Sequence, residues 1–146
     1  MQNIIIDSIK DEYLDGIIEI ENDCFFPPWS RDAYKKEISA EYSEYVVLVQ
    51  DGLVVGYGGF RQALDQADIT NIAIRKGFRN SGLGTHIINS LFDKAKKRGI
   101  NTITLEVRKS NLSAIALYEK TGFINMGIRP GFYQDGEDAF IMSKKL

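Results

Sequence analysis

The stretch RNSGLGTH, residues 79 to 86, places an arginine, small residues and two glycines directly before an amphipathic segment. Glycine in a helix interior costs roughly 0.5–1 kcal/mol relative to alanine, so it is typical of places where the backbone must lie close to a ligand. The first N–H groups of a helix have no partner within the helix and lie at the positive end of its dipole. The stretch therefore predicts a phosphate site at the start of a helix, with a plain strand-to-helix turn as the alternative.

Two common phosphate-binding loops do not match this stretch. A Walker loop requires Gly-Lys followed by Ser or Thr, which the chain lacks, and a dinucleotide fingerprint requires a third glycine where the chain has Ile87. What remains is a strand, a short basic turn and a helix that opens at GLGT. The backbone amides of Ser81 to Thr85 and the charge of Arg79 could then hold a diphosphate.

Two further side chains could exchange protons with a substrate. In the strand TITLEVR, Glu106 alternates with core-type residues, and a carboxylate there is costly unless it is paired or used. It could be a general base, or it could pair with Arg108 or with an arginine of a neighbouring strand. Tyr118 lies two helical turns after Asn111 on one helix face. Its hydroxyl, with an ordinary pKa near 10, could protonate a leaving thiolate, or its ring could pack in the core.

The elements that carry these residues are predicted from the spacing of apolar side chains. Helices are expected at 12–25, 31–40, 82–98 and 110–122, and strands at 4–9, 44–50, 53–60, 67–74, 101–108, 123–129 and 137–143. Ser30 is the predicted N-cap of the second helix, Gly99 closes the third, and Asp51-Gly52 and Asp135-Gly136 are predicted turns. The order β-α-α-β-β-β-α-β-α-β-β predicts one α/β domain over residues 1–146, with helices on both faces of a mixed sheet.

The first helix and the segment after it carry two further features. Leu14, Ile17, Ile18 and Glu21 share one helical face, which is otherwise apolar. FPPW ends this helix, because proline does not continue one. The FPPW segment, which includes Trp29, could form an apolar wall beside a bound peptide or a lid on the core.

Composition limits the class of protein. The 146 residues, 44% hydrophobic and 26% charged, are typical of one soluble globular domain. The chain has no run of eighteen apolar residues and no secretory-signal pattern, and its single cysteine, Cys24, excludes an internal disulfide and a multi-cysteine zinc site. We therefore expect a cytoplasmic protein with no metal, no membrane and, lacking a dense Lys/Arg run, no direct nucleic-acid partner.

The motifs resemble those of the GNAT acetyltransferase superfamily, whose Q/R-x-x-G-x-G/A signature matches R-N-S-G-L-G. The resemblance covers essentially the whole chain. It is most specific to the RimI type of ribosomal-protein-alanine N-acetyltransferases, on FPPWS, NIAI, LEVRKSNLSAIALYEKTGF and EDAFIM. It implies the GNAT fold and direct transfer of an acetyl group from acetyl-CoA to the N-terminal alanine of a small-subunit ribosomal protein. The alternatives are acetylation of a small amine or a lysine, and a non-catalytic acyl-CoA-binding module.

The resemblance also implies roles for matching residues. Glu106 would accept a proton and Tyr118 would donate one. Asn111, which the sequence alone predicts as the N-cap of its helix, would also contact the cofactor. Other residues expected at the cofactor, including strand residues that offer backbone N–H groups to the acetyl carbonyl, are Ile72, Ala73, Ile74, Arg79, Asn80, Ser81, Gly82, Leu83, Gly84 and Thr85. Trp29, Phe132 and Tyr133 would contact the peptide. The family usually has two adjacent tyrosines where this chain has Phe132 and Tyr133, so one hydroxyl is missing from that contact.

Overall fold

A computed structural model describes residues 4–24 and 30–146 of the chain. Its strands are β1 Ile4–Ser8, β2 Ser43–Gln50, β3 Leu53–Ala63, β4 Gln66–Ile74, β5 Thr102–Arg108, β6 Ile124–Arg129 and β7 Ala139–Lys145. Its α-helices are α1 Leu14–Cys24, α2 Arg31–Ser39, α3 Leu83–Lys97 and α4 Leu112–Lys120. The predicted order of elements is confirmed. None of the helices in these ranges has the length and apolar character needed to span a membrane.

The strands form one sheet in the order β1-β2-β3-β4-β5-β7-β6. Every neighbouring pair is antiparallel except β4 and β5, which are parallel. These two strands pair only from Gln66 to Asp68 with Thr102 to Thr104. Beyond that point they separate, which leaves an opening in the middle of the sheet.

Two hydrophobic cores lie on opposite faces of the sheet. The face covered by α3 and α4 contains Phe60, Ile87, Leu91, Leu105 and Met142. The face covered by α1 and α2 contains Leu14, Ile17, Tyr34, Tyr45 and Tyr57. Along β5 the burial alternates strictly, so Ile103, Leu105 and Val107 face α3 and α4, whereas Thr102, Thr104, Glu106 and Arg108 face the α1 side.

Local sequence accounts for the ends of the elements. The Ser30 side chain accepts a hydrogen bond from the Ala33 amide at 3.1 Å, as expected of an N-cap. Gly99, with φ 75°, ends α3 in the left-handed conformation. The last strand begins two residues later than predicted, because Glu137 is held in the preceding turn by hydrogen bonds to Arg108 and to the Ser110 amide.

Glycines in β3 allow close packing that the sequence alone does not reveal. A Cβ on Gly58 would lie 2.6 Å from Cγ2 of Ile87, and one on Gly59 would lie 2.3 Å from the Tyr45 ring. The first contact lets α3 lie directly on the sheet. The start of α3 is thereby held close to the end of β4.

Candidate active site

The opening between β4 and β5 begins at a β-bulge. Gly59 pairs with Asn71 and Phe60 with Ile69, so Thr70 is an extra residue in β4. The Thr70 hydroxyl donates to the Gly59 carbonyl at 3.2 Å, which ties the bulge to β3. Bulges bend a strand and change the direction of its side chains. Here the bulge brings the side chain of Asn71 to the α1 face just where β4 leaves β5.

The backbone of β4 presents hydrogen-bond donors to this opening. The Arg75 amide donates to the Val55 carbonyl of β3 at 2.7 Å. Because antiparallel bonding alternates, the Ala73 amide also faces β3, whereas the amides of Ile72 and Ile74 face away from it, toward the opening. The Arg79 side chain supports this assignment, since its Nε donates to the Ile74 carbonyl at 3.0 Å. Of the three strand residues expected to offer an N–H group to the acetyl carbonyl, Ile72 and Ile74 therefore have amides that face the opening and Ala73 does not.

The first turn of α3 has free backbone amides. Gly82 precedes the helix with φ 83°, and Asn80 is also left-handed with φ 60°. The first helical bond runs from the His86 amide to the Gly82 carbonyl at 3.3 Å. Within the described part of the chain, the amides of Ser81 to Thr85 have no partner. This arrangement is suited to bind a phosphate.

Gly82 and Gly84 are each glycine for a different structural reason. No atom of the described residues lies within 4 Å of a would-be Cβ on Gly82, so its positive φ is what favours glycine. A Cβ on Gly84 would lie 2.8 Å from Cδ2 of Leu117 in α4. Gly84 therefore permits close packing of α3 on α4, and Gly82 is the better position for a test of phosphate binding.

We expect Gly82→Val to weaken CoA binding about tenfold, because a β-branched residue disfavours the left-handed conformation that shapes this turn. Isothermal titration with CoA measures the effect. Gly52→Val is the matched control, since Gly52 has φ 82° and open space around its Cβ in the turn between β2 and β3. Equal CoA affinity for the parent and Gly82→Val would contradict a phosphate site here.

Glu106 lies on β5 at the edge of the opening. Its side chain is 25% exposed, and its Oε2 lies 3.4 Å from Nε of Arg129 on β6. Its Oε1 has no partner among the described residues. Arg108 instead bonds Asp135 at 2.9 Å and Glu137 at 2.8 Å. Glu106 is therefore paired through one oxygen with an arginine from another strand.

Tyr118 lies on the other face of the sheet, in the core that α3 and α4 cover. It is 9% exposed, and its ring contacts Phe123 edge-on with centroids 5.7 Å apart. Burial raises the pKa of Tyr118 to about 12, with a smaller contribution from Tyr133. Its hydroxyl has no hydrogen-bond partner in the described ranges. The residue thus packs in the core and also keeps a protonated hydroxyl.

Tyr133 connects these two residues electrostatically. Burial raises the pKa of Tyr133, the Arg108 guanidinium opposes that shift, and the charge of Glu106 adds to it. Tyr133 also raises the pKa of Tyr118. Tyr133 therefore lies within electrostatic range of both Glu106 and Tyr118.

The loop between β6 and β7 is held by arginines from two strands. The guanidinium of Arg108 lies 4.1 Å from the centroid of the Tyr133 ring, and that of Arg129 lies 5.9 Å from the Phe132 ring. The two aromatic rings meet at 88°. Phe132 remains 47% exposed. Trp29, the third residue expected to contact a peptide, lies outside the described residues.

Asn111 has the capping role that the sequence predicts. Its Oδ1 accepts a hydrogen bond from the Ala114 amide at 3.2 Å, at the start of α4. The cap fixes the start of the helix that carries Tyr118.

A buried polar pair beside the opening was not predicted. Glu21 of α1 is 2% exposed, and its Oε1 accepts a hydrogen bond from Nδ2 of Asn71 at 3.0 Å. Burial raises the pKa of Glu21 to about 7, while Tyr34 and Asn71 favour the ionised form. The signal in the sequence was a glutamate on the apolar face of the first helix. Its partner is 50 residues away, and no local pattern connects them.

The fold and this opening define the class of protein. The model of the acetyltransferase (GNAT) family matches residues 14–123, and the chain belongs to that family. Members use acetyl-CoA as the acetyl donor, and the chain is an N-acetyltransferase. The expected fold and family are thereby confirmed.

Three relatives define the similarity more closely. The [ribosomal protein bS18]-alanine N-acetyltransferase of Escherichia coli (strain K12) is 36% identical over 141 residues, which are 94% of this chain and 95% of that protein. A Bacillus subtilis (strain 168) protein, provisionally named for the same activity, is 39% identical over 137 residues, which are 92% of this chain and 91% of that protein. The crystal structure of the ribosomal-protein-S18-alanine N-acetyltransferase from Escherichia coli gives a TM-score of 0.87 at 35% identity, over 97% of this chain and 93% of that chain.

Proposed function

We propose that the chain transfers the acetyl group of acetyl-CoA to the α-amine of the N-terminal alanine of ribosomal protein bS18, by direct attack in a ternary complex. The observation that carries the proposal is the opening between β4 and β5, with Glu106 on one face and Tyr118 on the other. The names of the Escherichia coli relatives support the choice of substrate.

The cofactor fits the residues at the start of α3. The partnerless amides of Ser81 to Thr85 suit the diphosphate of CoA, and the positive φ of Gly82 shapes the turn that presents them. The amides of Ile72 and Ile74 suit the thioester oxygen, which gains negative charge when the amine attacks. Asn111 caps the start of α4 and is a further contact that we assign to CoA, with Arg79 and Asn80.

The proton transfers follow from the placement of two side chains. Glu106 takes a proton from the attacking amine, directly or through one water. As the C–S bond breaks, the Tyr118 hydroxyl gives its proton to the departing thiolate and later regains one from solvent. This hydroxyl is protonated at neutral pH, and burial, which raises its pKa to about 12, extends the protonated state to alkaline pH. The peptide would lie against Phe132 and Tyr133, with Trp29 as a further contact.

Amine chemistry favours an N-terminus over a lysine. An α-amine has a pKa of about 8 and is neutral in roughly a tenth of molecules at pH 7, against roughly one in 2,500 for a lysine of pKa about 10.4. A single carboxylate is a modest base, which is sufficient for the first amine and poorly matched to the second.

Two peptides test the proposal by mass spectrometry. One has a free N-terminal alanine and no lysine, and the other has a blocked N-terminus and an internal lysine. We expect an acetyl group on the first peptide alone. Acetylation of the second alone would replace the proposed function with lysine acetylation, and modification of neither would direct the search to small amines.

A further inference from the structure

The pair formed by Glu21 and Asn71 has a defined orientation. Asn71 Nδ2 donates to Glu21 Oε1 at 3.0 Å and to the Tyr57 hydroxyl at 3.2 Å. An ionised carboxylate only accepts hydrogen bonds, so Glu21 selects the amide orientation in which Nδ2 points toward α1. Burial raises the pKa of Glu21 to about 7 and the hydrogen bond from Asn71 opposes that shift, so Glu21 selects this orientation in its ionised form.

This orientation leaves Oδ1 of Asn71 as a hydrogen-bond acceptor. No described residue donates a hydrogen bond to Oδ1 of Asn71, although the residue is half-buried. An acceptor that is partly removed from water is costly unless a donor reaches it. A substrate that brings an N–H group would satisfy it.

Asn71 and Glu106 are on the facing strands β4 and β5, beyond the point where these strands pair. Asp68 pairs with Thr104 at the last paired position of β4 and β5. Counting on from that pair with Thr70 as the extra residue, Asn71 falls opposite Glu106 along the facing strand. Both side chains are on the α1 face of the sheet. The two strands no longer pair at this level.

We propose that Oδ1 of Asn71 accepts a hydrogen bond from the amine that is acetylated, and that Glu21 is a positioning residue that holds Asn71 in this orientation. The inference rests on the proposed function, which places the attacking amine beside Glu106. An amine held by Asn71 presents a second N–H to Glu106 and keeps its lone pair for the acetyl carbonyl. The site would therefore favour primary amines.

Steady-state kinetics with the alanine peptide test this role. We expect Asn71→Ala to lower kcat/KM for the peptide about tenfold, mainly through KM, while KM for acetyl-CoA stays within about twofold. Glu21→Gln, which keeps the size of the side chain but no longer fixes the amide, should lower the same ratio about threefold to tenfold. The double variant should be no slower than Asn71→Ala, since Glu21 acts through Asn71.

Glu37→Gln is the matched control, because Glu37 is a carboxylate of similar burial that instead bonds Arg61 and Ser43. It should leave both KM values unchanged. An unchanged peptide KM in Asn71→Ala, or losses that add in the double variant, would overturn the inference. If Asn71→Ala does not fold, Glu21→Gln decides by the same KM comparison. If the parent acetylates a different primary amine, the proposed function fails, and the same comparison with that amine still decides the role of Asn71.

Discussion

Glu106→Gln should lower kcat by about 10²–10³-fold while the affinity for acetyl-CoA stays within about twofold of the parent. Glutamine keeps the size of the side chain and its position on β5 but cannot accept a proton from the amine at neutral pH. The partnerless Oε1 is the atom we expect to act, since Oε2 is engaged by Arg129 at 3.4 Å. The loss therefore falls on the chemical step rather than on cofactor binding.

Two control variants separate the loss of Glu106 as a base from the loss of its ion pair with Arg129. Glu44→Gln removes a carboxylate that is 27% exposed and bonded to Arg98 at 3.1 Å, a close match to the environment of Glu106, and should keep full activity. Arg129→Gln breaks the pair with Glu106 but leaves the carboxylate, so it should lose far less than Glu106→Gln. Single-turnover rates and a CoA titration provide both measurements. Parental kcat for Glu106→Gln across neutral pH would exclude Glu106 as the base.

Tyr118→Phe should lower kcat by about 10–10²-fold, because the thiolate must then leave without a positioned proton donor. The ring contact with Phe123 is retained, so we expect little change in stability.

Burial raises the pKa of Tyr118 to about 12, so its hydroxyl stays protonated well above pH 10, where an ordinary tyrosine ionises. The rate of the parent should accordingly show no loss from tyrosine ionisation between pH 8 and 10.

The matched control for this variant is Tyr13→Phe. It removes a hydroxyl that donates to Asp7 at 2.6 Å, on the turn before α1 and away from α4. Pre-steady-state acetyl transfer should separate the two variants, with Tyr118→Phe slow and Tyr13→Phe parental. If Tyr118→Phe transfers acetyl as fast as the parent, Tyr118 only packs in the core.

Local signals in the sequence were sufficient for the order of elements. The alternation in β5, the caps at Ser30 and Asn111 and the glycine that ends α3 each depend on neighbours in sequence, and each is confirmed. The resemblance alone implied that residues 72–74 offer backbone N–H groups, and the structure adds the opening between β4 and β5 beside them. The physical cause of this opening, the extra Thr70 and the short parallel ladder, depends on which strands pair and is invisible to periodicity.

For the candidate site, too, contacts between residues that are distant in sequence could not be predicted from local patterns. The sequence left Glu106 as either a base or a member of an ion pair, and the structure adds its contact with Arg129 without removing the first possibility. Gly84 was expected at the cofactor, but the contact with Leu117 gives it a packing reason as well. Asn71 was missed because its proposed role depends on its hydrogen bond to Glu21, which lies in a helix distant in sequence.

The most direct test of the account is competition among natural substrates. A mixture of unacetylated small-subunit ribosomal proteins is incubated with the chain and acetyl-CoA, and the acetylated peptides are identified by mass spectrometry. We predict an acetyl group on the N-terminal alanine of bS18 and, at early times, on no other protein. Acetylation of other N-termini or of lysines, with bS18 unmodified, would contradict this prediction.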